Sequence, residues 1–189
     1  RIEQSLADGD MRAAIDRAQA LLQRARSAGE QAYLAADYDL ATANFLLARV
    51  LKNSGGAEQA LPLLTEARQR FEAVEREQPG YGAANMVSVC SAEQGDCLMN
   101  LGRYDLAAAA YEESIRNAGQ RGDIRQVAVG KGQLGTVRLL QKRYQEALAA
   151  YQEAIKRFTA LDEPSSVAVA WHQIGIAYAD ADQAGAAED

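Results

Sequence analysis

Apolar residues in this chain recur at helical spacing, and the helical stretches recur in turn. Tyr144, Ala147, Leu148, Tyr151, Ala154, Ile155 and Phe158 follow an i, i+3, i+4, i+7 pattern. That stripe predicts an amphipathic helix from Tyr144 to Leu161. A helix from Val127 to Gln141 precedes it, across a turn at Lys142-Arg143. Asp162-Glu163-Pro164-Ser165-Ser166 then breaks the pattern, and Pro164 suits a helix start because its missing N–H costs little there. Residues 87–126 repeat the plan, with a turn at Leu101-Gly102-Arg103, a second helix from Tyr104 to Asn117, and Gly119 and Gly122 at its exit. A further unit opens at Val167 and is expected to reach just inside its second helix by Asp189.

Upstream the echo is weaker. Ala57 to Phe71 aligns with Tyr144 to Phe158, and the helix before it should end near Asn53, ahead of Ser54-Gly55-Gly56. Ala60 precedes Ala107 by more than the later step, so longer helices are expected around Gln78-Pro79-Gly80. Asp10 to Ser27 reads as a lone second helix, with residues 1–7 as the tail of a first one.

The step itself is informative. Gly95, Gly135 and Gly175 are evenly spaced, as are Val87, Val127 and Val167, and Tyr104-Tyr144, Tyr111-Tyr151 and Ile115-Ile155 keep the same interval. A fixed period of roughly 40 residues marks a stacked array, in which each unit buries its apolar face against its neighbours. The expected fold is all-α, an α-α superhelix of antiparallel helix pairs. The expected organisation over 1–189 is a single array: a partial repeat at 1–28, repeats at 31–78, 81–122 and 124–162, and a partial repeat at 164–189.

Composition agrees with helices. The chain is 48% hydrophobic and 24% charged, with three prolines, and is rich in strong helix formers. Its net charge of −6 is dispersed without a basic run, which argues against nucleic-acid binding. No apolar run is long enough to span a membrane, and no signal peptide is visible. Cys90 and Cys97 are seven apart, about 10 Å along one helix face, beyond the ~7 Å Cα separation a disulfide allows. Two buried, reduced thiols and a cytoplasmic location are therefore expected.

The residues at the seams resemble the tetratricopeptide repeat family, whose helices carry an aromatic, Leu-Gly and Tyr, then Ala, an aromatic and Ala. The correspondences are Trp171, Ile174-Gly175 and Tyr178; Leu134-Gly135, Ala147, Tyr151 and Ala154; and Gly95, Ala107 and Tyr111. The period is similar to that of the long-repeat variants found in kinesin light chains and bacterial sensor arrays. The resemblance covers about residues 31–189 and implies a right-handed solenoid. Gly95, Gly135 and Gly175, with Ala107, Ala147 and Ala187, would let helices approach closely. Lys131 and Ser91 stand in the Trp171 slot, and Arg138 and Leu98 in the Tyr178 slot, so these slots are expected to be less buried in the middle units.

Catalytic chemistry finds little support. Gly130-Lys131-Gly132-Gln133-Leu134-Gly135 spells a dinucleotide fingerprint, but it lies inside a predicted helix with no strand before it. Its glycines should soften that helix by roughly 1 kcal/mol each. His172 is the sole histidine, so metal sites and nucleophile–base pairs lack their usual members. No catalytic residue, cofactor or metal is expected.

The resemblance implies instead that first helices line a concave groove. The candidate binding residues are Phe45, Arg49 and Lys52; Asp96, Met99 and Asn100; Thr136 and Leu139; and His172 and Ile176. Around them the same mapping places Thr42, Val89, Ala92, Val129, Gly132 and Val169. The cations Arg49 and Lys52 are answered by Asp96, which disfavours a simple clamp for a partner's terminal carboxylate. The expected role is a non-catalytic module that binds a protein or peptide segment within a larger, bacterial-type protein. A ligand-sensing arm of a multidomain effector and an architectural or oligomerisation spacer are the alternatives. Apolar ends would favour end-to-end self-association.

Overall fold

The computed structural model describes residues 2–29, 35–80 and 82–188; the side chains at 3, 6 and 183–188 are not described. The start of the expected repeat at 31 therefore lies outside the described residues, and so does the expected packing role of the Ala187 side chain. Among the described residues every regular element is an α-helix. The chain divides into two compact units, residues 1–102 and 103–189, and the division falls within the stretch 81–122.

The first unit holds α1 (Ile2–Ala7), α2 (Met11–Ala28), α3 (Ala36–Asn53), α4 (Ala57–Glu77) and α5 (Ala83–Asn100). Each helix packs on the next in sequence, and α3 also touches α5. Asp10 caps α2 by accepting a 3.0 Å hydrogen bond from the Ala13 N–H, which satisfies one of the amides a helix start leaves unpaired. One core joins α2 to α3 through Ala14, Ala18, Leu22, Leu40, Leu47 and Val50. Another joins α3, α4 and α5 around Phe45, Leu64, Phe71, Cys90 and Cys97. The Tyr38 and Phe71 rings meet edge to face at 5.2 Å.

The second unit holds α6 (Tyr104–Gln120), α7 (Ile124–Leu140), α8 (Tyr144–Ala160) and α9 (Pro164–Glu188), again packed in sequence. Two seams are tight because they contain glycine. A Cβ at Gly130 would sit 2.6 Å from Cγ1 of Ile115, and one at Gly135 would sit 2.7 Å from Cε1 of Tyr151. Gly132 has open space around it, and α7 is preceded by a turn and α6, not a strand. The fingerprint-like spelling is therefore two packing glycines and one surface glycine on a helix.

The turns obey their own rule. Gly122, Lys142 and Asp162 take positive φ values of 72°, 59° and 55°. In each case the next residue's N–H reaches back to close the helix end: Asp123 to Ala118 O, Arg143 to Arg138 O and Glu163 to Phe158 O, at 3.0, 2.8 and 3.0 Å. This is the Schellman pattern, which normally places glycine at the left-handed position.

Three expectations change. No turn interrupts α9 after Asp180; the helix continues to Glu188, because Ala179 to Ala184 contains neither Gly nor Pro. Gly175 is not at a close approach, since nothing lies within 4 Å of its Cβ position. The Trp171 slot is inverted: Ser91 is fully buried, whereas Trp171 is 57% exposed and Tyr178 58%. The cause is local, because no described helix lies over the α9 flank that carries Trp171, Gly175 and Tyr178.

Candidate protein interaction site

In the second unit α7 and α9 both lie on α8 and leave a furrow between them. Val129, Gly132, Gln133 and Thr136 follow i, i+3, i+4, i+7 on α7, and Ser166, Val169, Ala170 and Gln173 do so on α9. Each set therefore occupies one helix face. Tyr151 and Phe158 of α8 complete the wall, and the space enclosed is about 300 Å³. Gly132 contributes to the opening directly, since it leaves empty the place where a side chain would project.

The polar groups of the furrow are ordered. The Tyr151 hydroxyl donates to Thr136 Oγ1 at 3.1 Å, and the Thr136 hydroxyl donates to the Gly132 carbonyl at 3.3 Å. Burial pushes the Tyr151 phenol above its ordinary pKa, and the Thr136 bond partly offsets this. At one end Arg125 Nε donates to Glu163 at 2.7 Å, and Ser166 donates to the other Glu163 oxygen at 2.9 Å. These two bonds, Arg125 first, hold the Glu163 carboxyl below its usual range. None of the ten residues lining the furrow is charged. Among the described residues no group of three or more His, Cys, Asp or Glu is placed to hold a metal. None of their helices is long and apolar enough to cross a membrane.

Of the residues that the sequence mapping placed in the groove, Thr136, Val129, Gly132 and Val169 line this furrow. Leu139 is partly buried against the α8–α9 core. His172 and Ile176 are exposed on α9. Gln133 and Gln173 were not singled out; their matching positions one repeat apart, in register with Glu93, were the available signal.

The first unit's set is organised differently. Phe45 is only 6% exposed and belongs to the α3–α4–α5 core, so it presents no open apolar anchor. Arg49 lies over the Phe45 ring, 5.5 Å from its centroid, and 3.6 Å from Glu93. Lys52 contacts both Glu93 and Asp96, the latter at 2.7 Å. Burial opposes the charge on Lys52, but the hydrogen bonds to Asp96 and Glu93 outweigh it and raise its pKa. Met99 is half-buried and Asn100 exposed. The cations are thus already answered by carboxylates, one of which, Glu93, was not foreseen.

Residues 123–189 and residues 92–120 each match a family model described as a tetratricopeptide repeat. The chain belongs to the tetratricopeptide repeat family. Among solved structures, this tetratricopeptide repeat protein is similar to the crystal structure of BtubC (BKLC) from P. vanneervenii, with a TM-score of 0.72 and 21% identity. The match covers 90% of this chain and 66% of that one, so the chain spans just under two thirds of BtubC's length. At that identity the likeness establishes the shared helical-repeat fold. No curated protein matches the chain.

Proposed function

We infer that this tetratricopeptide repeat chain is a non-catalytic interaction module that binds a peptide or protein segment along the exposed faces of its first helices. The observation that supports this most directly is the open furrow between α7 and α9, with apolar walls and a few ordered polar groups. Such a surface suits segment recognition. Repeats of this family generally mediate protein–protein contacts. The repeats proposed are 31–78, 81–122 and 124–162, flanked by partial repeats at 1–28 and 164–189, within a larger cytoplasmic, bacterial-type protein. The exposed Trp171–Tyr178 flank of α9 favours association between copies.

A ligand-sensing arm is the second reading. A furrow of about 300 Å³ is at the lower end of small-molecule sites, which are roughly 300–1,000 Å³. The test is affinity capture from source-cell lysate, comparing the native chain with a Val169→Lys/Ile176→Lys variant, both positions being exposed on α9. A protein held by the native chain and lost from the variant is expected. Partners held equally by both would contradict the reading, and empty lanes would favour the sensor arm.

A further inference from the structure

Resting on the inferred association between copies, we propose that the Trp171–Tyr178 flank of α9 is a self-complementary seam, on which a second copy of this chain docks its own α9 antiparallel and closes a two-fold dimer. Ala168, Trp171, Gly175, Tyr178 and Asp182 alternate steps of three and four along α9, and all five are exposed. That spacing is the narrow seam of a helix pair, not the broader stripe of a helix facing a core. Gly175 is a notch between two knobs. Nothing lies within 4 Å of its Cβ position, while Trp171 and Tyr178, one turn to either side, are each just over half exposed. The chain already shows what fills such a notch. One repeat earlier the corresponding Gly135 receives the Tyr151 ring of α8, the helix that follows α7 across a short turn. At Gly175 the matching rings come from the second copy, because a two-fold axis beside Gly175 brings each Trp171 near the other copy's Tyr178, with the two glycines between them.

Charge selects the occupant and its direction. Pro164 to Ala179 contains no Asp, Glu, Lys or Arg, so a second identical flank meets it without burying an unpaired charge. A segment with charges at the contact would lose hydration and gain no counter-charge. Asp180 and Asp182 follow at the C-terminal end. Parallel pairing would set these acids side by side. Crossing antiparallel at Gly175 holds like residues about 15 and 21 Å apart along the axis, beyond the ~8 Å screening length of physiological salt. The four rings of a dimer, each just over half exposed, supply roughly 350–550 Å² of contact. A stable specific interface buries about 1,000 Å² or more, so this seam makes a weak, reversible dimer.

Sedimentation velocity of the native chain from about 1 μM to about 1 mM should show monomer passing into dimer and no larger species. Trp171→Glu, at an exposed position and folded as judged by circular dichroism, should weaken the dimer about tenfold or more, since each dimer then carries two acids in an uncharged seam. Val169→Lys/Ile176→Lys lies elsewhere on the circumference of α9 and should dimerise like the native chain, which separates this seam from the furrow tested by lysate capture. Direction is read by mixing variants: Trp171→Glu with Tyr178→Lys should restore the dimer, and Trp171→Glu with Trp171→Lys should not. A native chain that stays monomeric near 1 mM, or a Trp171→Glu variant that dimerises as tightly, would overturn the seam and leave the interaction-module reading standing. Assemblies larger than a dimer would overturn the two-fold closure, and rescue by Trp171→Lys alone would overturn the antiparallel pairing. A lysate protein lost from the Trp171→Glu chain would give the flank to a different occupant.

Discussion

The ring of Tyr151 occupies the space that a side chain at Gly135 would need. The ideal Cβ falls 2.7 and 2.8 Å from two ring carbons, closer than real contacts allow. The ring is held from its other end by the hydroxyl bond to Thr136, so it has little freedom to yield. Alanine would add roughly 1 kcal/mol of helix propensity, but overpacking costs typically 1–3 kcal/mol. Gly135→Ala is therefore expected to lower the thermal midpoint. Gly175→Ala, one repeat later, should raise it by a few degrees, since nothing lies within 4 Å. Parallel melts of the two variants check this; a rise in both would mean that Tyr151 moves aside freely.

Lys142 and Asp162 stand where a Schellman turn prefers glycine, at φ of 59° and 55°. The left-handed conformation costs an L-residue about 1–2 kcal/mol, part of which glycine returns through a more flexible unfolded chain. Lys142→Gly and Asp162→Gly should each stabilise the chain by about 0.5–1 kcal/mol. Urea midpoints that fall in both variants would contradict this.

Lys52 sits between Glu93 and Asp96 with its side chain 15% exposed. Removing it would leave Asp96 without this cation and Glu93 with only the more distant Arg49, at 3.6 Å. Lys52→Met is expected to cost about 2 kcal/mol, less than the ~3–5 kcal/mol of a fully buried broken pair. The triple variant Lys52→Met/Glu93→Gln/Asp96→Asn should recover most of that loss. Equal destabilisation in the single and triple variants would show that the cluster acts through packing alone. Because the folded Lys52 pKa is raised, its contribution is complete below the unfolded lysine value and is lost as pH rises through the folded one.

Burial pushes the Cys90 thiol up to about 12 and the Cys97 thiol up to about 11. Thiolates are the reactive form, so at pH 8 a disulfide reagent should label neither cysteine quickly in the folded chain, and both after denaturation. The linkage runs the same way. Above pH 9 the unfolded chain releases thiol protons that the folded chain keeps, so stability falls as pH rises. Rapid native labelling would place one cysteine at the surface.

Much of the fold was legible because its signals are local. The end of α3 at Asn53, the α2 helix expected over Asp10 to Ser27, and the α7 and α8 spans follow from breakers and an apolar period. The site was less legible. Phe45 is buried because α3 packs against α2, α4 and α5, and a residue on a helix flank turns from surface to core with a small rotation. Gln133 and Gln173 look like solvated polar residues until α7 and α9 are set beside each other. Glu93 has meaning only once Lys52 is across from it.

The exposed flank of α9 also decides what light can report. Trp171 is the single tryptophan, and at 57% exposure it lies outside the buried core of the described residues. Its emission should change little when the helices come apart, so a fluorescence melt would see almost nothing of the fold. The same indole would dim or shift as soon as another surface covered Trp171 and Tyr178. The chain thus carries a built-in optical probe that is blind to its own unfolding and sensitive to company.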